Sequence, residues 1–187
     1  MWLRIYNEQK FIPKGKLMKR VLGLFIVLFF LNACKSENKK FTKLSSSYTN
    51  ISFNNKLYET NTQNYFTNPY MYLGAGVAAG DFNNDGLEDL FFLGNMVPNK
   101  LYINQGNLKF YDISESAGIE GDDRWYSGVT LIDINNDGFL DIYCSVGGEN
   151  GPNNNILYIN NQDNTFTEKA KEFGIDDDAY SMHSTFF

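Results

Sequence analysis

The sequence predicts an all-β fold built from repeated units of four antiparallel strands. Three observations lead there. A nine-residue pattern, D-x-N-x-D-G-x-x-D, occurs at Asp81–Asp89 and again at Asp133–Asp141, 52 positions later. Short β-branched and aromatic runs flank both copies: Gly76-Val77-Ala78-Ala79-Gly80 and Leu90-Phe91-Phe92-Leu93 around the first, Val129-Thr130-Leu131-Ile132 and Ile142-Tyr143-Cys144-Ser145-Val146 around the second. Such runs, bounded by Gly and Asn, read as buried strands rather than helices. Further matches follow at an offset of 56: Leu101-Tyr102-Ile103-Asn104 with Leu157-Tyr158-Ile159-Asn160, Phe110 with Phe166, and Ala117-Gly118-Ile119 with Phe173-Gly174-Ile175. The change of offset places about four inserted residues near Gly148–Gly151. Each unit reads strand, loop, strand, longer loop, strand, turn, strand, the turns being Gln105-Gly106-Asn107 and Asn161-Gln162-Asp163-Asn164. Four strands in roughly 50 to 55 residues is the size of one β-propeller blade.

Taken in order, residues 1–17 form a long prefix before Met18-Lys19-Arg20, a more natural start, and are expected to be upstream sequence miscalled as coding. Residues 18–33 carry a basic flank and the run Val21–Leu31. Its eleven residues are too few to span a bilayer as a helix, which needs about 20. A basic flank, a short apolar core and small residues after it make a secretory signal peptide. The run closes on Leu31-Asn32-Ala33-Cys34, which resembles the bacterial lipoprotein box. That resemblance implies cleavage before Cys34, lipidation of its thiol and a membrane anchor. Residues 34–50, rich in Ser, Lys, Asn and Thr, are expected to be a solvated tether.

Residues 51–73 form a lead-in region in which Ile51-Ser52-Phe53 alternates like a short strand. The first blade is expected at 74–124 and the second at 125–179, with short helical turns at Ser114–Ala117 and at Glu168–Phe173. Residues 180–187, aligned with Trp125–Ile132, are expected to be the first strand of a third blade. The next position would open a third loop, so the chain reads as the N-terminal fragment of a longer protein.

The loops carry the chemistry. Oxygen side chains at positions 1, 3, 5 and 9 of a tight turn can converge on one point. A Gly at position 6 permits the turn, and the position-7 carbonyl then points inward. Six to eight oxygens are what calcium takes. The expected ligands are Asp81, Asn83, Asp85, the Leu87 carbonyl and Asp89 at one site, and Asp133, Asn135, Asp137, the Phe139 carbonyl and Asp141 at the other. Without a cation the carboxylates repel; at about 4 Å and an effective dielectric near 20, each like-charge pair costs about 4 kcal/mol before screening. An Asn-Asp-Gly run is also an ordinary turn, but two copies matching at every ligand position favour the ion. A helix-loop-helix calcium hand needs Glu at position 12, where this chain has Phe92 and Cys144.

Charge sharpens the picture. Residues 1–34 hold six basic side chains against one acidic, +5, whereas residues 35–187 hold ten against 21, −11. So acidic a region repels phosphate backbones and argues against nucleic-acid binding. The single histidine, His183, allows no Ser-His-Asp or Cys/His constellation beyond itself, so no enzyme activity is expected here. Cys144 has no partner once Cys34 is lipidated and is expected to pack as a small hydrophobe.

Gly76–Phe92 and Gly128–Tyr143, with Asn99–Asn104, Phe110–Ile113 and Thr165–Ala170, resemble FG-GAP, or VCBS, repeats, the calcium-bearing blades of integrin alpha-chain propellers. The fuller pattern, Ile51 to Phe187, resembles large bacterial surface lipoproteins that join such repeats to an ASPIC/UnbV domain and are related to cartilage acidic protein. The resemblance implies structural calcium at the two loops. It also implies a binding or adhesion module, with a protein or glycan ligand, lipid-anchored at the bacterial outer membrane or cell surface. Two other readings stay open: a non-catalytic part of a polysaccharide-active enzyme, or a scaffold subunit of a surface uptake complex.

Overall fold

The computed structural model describes residues 40–148 and 152–187. The chain divides into two compact units, Met1–Lys43 and Leu44–Phe187. Of the first, residues 40–43 are described and hold no helix or strand. The upstream extension, the leader, Cys34 and most of the expected insertion at 148–151 lie outside the described residues. Among those described, no helix is long and apolar enough to cross a membrane.

The regular structure of the second unit is mostly strand. Its elements run α1 (Ser46–Thr49), β1 (Val77–Gly80), β2 (Asp89–Phe92), β3 (Lys100–Asn104), β4 (Phe110–Asp112), α2 (Ser114–Ala117), β5 (Tyr126–Ile132), β6 (Asp141–Val146), β7 (Ile156–Asn160), β8 (Phe166–Glu168) and α3 (Ala170–Phe173). The strands form two four-stranded antiparallel sheets, each in sequence order, β1-β2-β3-β4 and β5-β6-β7-β8. Both acidic loops join the first strand of a sheet to its second. Register is fixed at the loop: Gly80 pairs with Asp89 and Ile132 with Asp141. The repeated Gly-Ile dipeptide also has a structural reason. Gly118 and Gly174 end α2 and α3 in the left-handed region, and the next amides, Ile119 and Ile175, return to Ser114 and Ala170 carbonyls. This closes each helix by satisfying carbonyls that have no partner within it.

One core lies between the sheets. Phe91, Leu93 and Leu101 of the first meet Tyr126, Ile142, Cys144 and Tyr158 of the second, with Phe82 among them. Each fully buried large apolar side chain contributes about 1.5–3 kcal/mol. Phe82, at position 2 of the first loop, also meets Phe166 of β8 edge-to-face, with centroids 6.1 Å apart. Close approach between the innermost strands depends on glycine: a Cβ on Gly76 would lie 2.8 Å from Val129 Cγ1 and 2.9 Å from its backbone nitrogen. Asn95 stitches the sheets, accepting from Tyr126 N–H at 2.8 Å and donating to the Tyr126 carbonyl at 3.0 Å.

Three expectations need correction. The tether does not extend to residue 50: Ser45 caps α1, Thr49 is buried, and the Tyr48 hydroxyl donates to the Asn107 carbonyl at 3.2 Å. Residues 51–73 form no strand. Ile51 and Phe53 are half-buried and Ser52 is exposed, Phe53 stacking on Phe92 of the first sheet at 5.0 Å, while Ser52 N–H donates to the Tyr102 hydroxyl rather than to a backbone ladder. Residues 180–187 form no strand either. They meet the end of β6 and run beside β5 through mixed bonds: Ser181 N–H to the Val146 carbonyl of β6 at 3.0 Å, and the Thr130 hydroxyl of β5 to the Ser184 carbonyl at 2.6 Å. Side-chain hydroxyls intercept the carbonyls there, so a regular ladder does not form.

Candidate functional site

Each acidic loop is closed by its own side chains. In the first, Asp81 Oδ1 accepts from Asp85 N–H at 3.0 Å and Oδ2 from Gly86 N–H at 2.7 Å. Asn83 Oδ1 accepts from the same Asp85 N–H at 3.1 Å. Asp85 Oδ1 accepts from Leu87 N–H at 2.8 Å. The second loop repeats this bond for bond. Asp133 accepts from Asp137 and Gly138 N–H, both at 2.9 Å. Asn135 Oδ1 accepts from Asp137 N–H at 3.1 Å, and Asp137 Oδ1 from Phe139 N–H at 2.9 Å. Oxygens from positions 1 and 3 therefore converge on one amide, that of position 5, in both loops. Gly86 and Gly138 hold φ of +85° and +87°, the region in which an L side chain is strained. That is why position 6 is glycine and why the carbonyls of Leu87 and Phe139 follow a sharp reversal.

Position 9 is built differently. Asp89 and Asp141 are wholly buried. Asp89 Oδ2 accepts from Phe82 N–H at 3.0 Å and Oδ1 from Asn104 N–H at 2.7 Å. Asp141 makes the same pair of bonds with Ile134 at 3.1 Å and Asn160 at 2.8 Å. Asn104 and Asn160 in turn donate their side-chain amides to the Glu88 and Leu140 carbonyls at 2.9 and 3.2 Å. The carboxylate thus ties the loop's second residue to the end of the third strand. Sequence reading had position 9 only as a ligand and the two asparagines only as repeat markers. The signal was present: the Leu-Tyr-Ile-Asn run ends on Asn in both units.

Burial and neighbouring charge both weigh on the position-9 carboxyls. Burial pushes the Asp89 carboxyl above the ordinary carboxylate range. The amides of Asn104 and Phe82 pull it back, and the charges of Asp85 and Asp81 push it up again, leaving it raised. Asp141 is raised in the same way by burial, against the amides of Asn160 and Ile134, with Asp137 and Asp133 adding to the rise. Position 9 thus feels the charges of positions 1 and 5 in both loops. The donor set is all oxygen, which suits a hard cation. Each carboxylate oxygen carries two lone pairs, so one hydrogen bond leaves capacity for an ion. Among the described residues, however, no three Asp, Glu, His or Cys side chains already stand as a metal cage; the loop's own hydrogen bonds occupy the tip.

Of the other residues weighed, Cys144 is wholly buried and unpaired among the described residues, and burial raises its thiol far above its ordinary value. It packs as a small hydrophobe. His183 is exposed beside Gly128.

In each sheet a D-x-N-x-D-G-x-x-D loop joins the first strand to the second, and residues 81–144, which hold both loops, match the family described as FG-GAP-like repeat. The chain is also similar, over part of its length, to cartilage acidic proteins. It is 37% identical to cartilage acidic protein 1 of Xenopus tropicalis over 87 residues, 46% of this chain and 13% of that protein. It is 38% identical to the Mus musculus protein over 86 residues, again 46% and 13%, and 36% identical to the Homo sapiens protein over 86 residues, 46% and 12%. The matched stretch therefore spans about an eighth of those relatives.

Proposed function

We propose that this chain is part of a calcium-bearing β-propeller that serves as a non-catalytic binding module, held at the bacterial outer membrane or cell surface through a lipid on Cys34. One observation carries the calcium reading. Two loops 52 residues apart in the sequence aim oxygens from positions 1 and 3 at the same amide, with two more carboxylates within electrostatic reach. Calcium would be held at the first loop by Asp81, Asn83, Asp85 and Asp89 with the Leu87 carbonyl. At the second it would be held by Asp133, Asn135, Asp137 and Asp141 with the Phe139 carbonyl. The ion's role is structural: it offsets the repulsion and pins the hairpin tips, which frees other surfaces of the sheets to meet a protein or glycan. The propeller reading is supported by two sheets of matching order packed through their first strands and by the similarity to FG-GAP-like repeats. The similarity to repeat modules, together with the lack of a catalytic constellation in the sequence, supports a binding role. The lipid anchor rests on Leu31–Cys34 and the leader before it.

Thermal melting of the full chain in calcium and in chelator tests the calcium reading. A ligand present at 100 times its dissociation constant stabilises by about 2.7 kcal/mol per site, so melting is expected to shift up by several degrees in calcium. Coincident melts in the two buffers would overturn it.

A further inference from the structure

The two loops touch each other, and in a directed way. Asn84, at position 4 of the first loop, donates its side-chain amide to the Gly138 carbonyl, at position 6 of the second, at 3.0 Å. Gly138 is a sensitive place to be held. Its N–H is already bonded to Asp133 Oδ2 at 2.9 Å, and the next amide, Phe139 N–H, is bonded to Asp137 Oδ1 at 2.9 Å. The Gly138–Phe139 peptide unit is therefore held by Asp137 through its N–H and by the first loop through its carbonyl, and the peptide unit before it is held by Asp133. A second link runs deeper. Asn160 donates its side-chain amide to the Phe82 carbonyl in the first loop at 2.8 Å and to the Leu140 carbonyl in the second at 3.2 Å. The backbone N–H of Asn160 holds Asp141, while that of Phe82 holds Asp89. The position-9 carboxylates of the two loops are thus joined through two residues. Asn104, the counterpart of Asn160 in the first sheet, donates to the Glu88 carbonyl within its own loop.

We propose that the two loops form a coupled pair, in which a divalent cation bound at the first loop raises the affinity of the second, with Asn84 as the coupling residue. This rests on the calcium reading above. The physical reason is that ordering one loop fixes Asn84, and Asn84 fixes the Gly138–Phe139 peptide whose flanking groups must settle around the second ion. Coupling of this kind is reciprocal: the second loop must raise the affinity of the first by the same factor. One exposed hydrogen bond is worth about a fivefold change in affinity. Asn84 sits at φ +58°, a conformation that glycine adopts freely, so Asn84→Gly removes the amide without straining the turn.

The test is calcium chloride titration of the full chain by calorimetry, comparing wild type with Asn84→Gly and Asn84→Ser, after melting in chelator shows the fold intact. Wild type is expected to bind two ions with a Hill coefficient of about 1.4, the value fivefold coupling gives for two equal sites. Both variants are expected to bind two ions with the coefficient fallen to about 1. Two ions bound independently by wild type, or an unchanged curve in both variants, would overturn the coupling and leave the calcium reading standing. A stoichiometry of one in both variants would assign Asn84 to its own loop alone and overturn the coupling too. No heat and no binding in wild type would overturn both readings.

Discussion

The two acidic loops share a pattern and a hydrogen-bond set, yet the sheets beneath them are covered differently. In the second sheet every residue of β6 and β7 is buried, because the first sheet packs on one face while Ile175 and Phe186 cover the other. In the first sheet β2 alternates between buried and half-buried, since its outer face carries only the irregular segment around Phe53. The loop tips follow suit: Asp137 and Phe139 are partly shielded, whereas Asp85 and Leu87 are exposed. Gln162 adds a bond to Asp137 at 3.2 Å. The lesson is that the repeat dictates the local device, and the neighbours decide how firmly it is held.

The largest effect that separates the loops is expected at position 9. Replacing Asp141 by Ala strands the buried amide of Asn160 and the part-buried amide of Ile134, and an unsatisfied buried donor costs about 1–3 kcal/mol. Asp89→Ala strands Phe82 and Asn104 in the same way. Urea unfolding is expected to show both variants destabilised by about 3 kcal/mol or more, with Asp141→Ala the worse because its strand is covered on both faces. Equal stability with wild type would contradict the role of position 9 as a tie between strands.

A smaller difference is expected at the glycines five residues before each loop. A Cβ on Gly76 meets the backbone and side chain of Val129, which sits in the middle of β5 and cannot withdraw. A Cβ on Gly128 would lie 2.7 Å from the Met182 carbonyl, in a segment outside any ladder. Overpacking costs about 1–3 kcal/mol where nothing can move. Gly76→Ala is therefore expected to lower the unfolding free energy by about 2 kcal/mol and Gly128→Ala by less than half of that. The reverse order would show that residues 180–187 are the more rigid partner.

How much of this was legible follows from what the repeat encodes. Strand positions, sheet order, both hairpins and the short helices ending at Gly118 and Gly174 could be read, because each rests on local pattern and occurs twice. The tie from Asp89 to Asn104 and from Asp141 to Asn160 was not read, since the spacing between partners differs between units and a buried carboxylate looks like any acidic ligand in sequence. Residues 51–58 misled because apolar alternation in a segment leaning on a sheet face imitates that of a strand. The packing of residues 180–187 through Ser127 and Thr130 hydroxyls leaves no periodic trace.

The smallest contrast lies where β4 and β8 end. Burial pushes the Asp112 carboxyl up, but the Ser114 hydroxyl and amide and the Lys100 ammonium outweigh it and hold it below the ordinary range. Its stabilising contribution is complete above the unfolded carboxyl value, near 3.9, and is lost as pH falls through its lower folded value. The counterpart in the second sheet, Glu168, accepts from the Ala170 amide at 2.8 Å and makes no ion pair among the described residues. Asp112→Asn is expected to flatten the acid limb of the stability curve slightly, read by urea midpoints between about pH 2 and 5. An unchanged limb would remove this contrast between the sheets.

Whether the loop tips hold ions decides what the two loops are for. Equilibrium dialysis of the full chain against dilute calcium, with bound metal counted per chain, measures that directly, and a variant carrying Asp85→Ala and Asp137→Ala supplies the reference. Two calcium ions per wild-type chain, lost in the variant, is the predicted result. No metal above the buffer level in wild type, or equal retention in the variant, would contradict it.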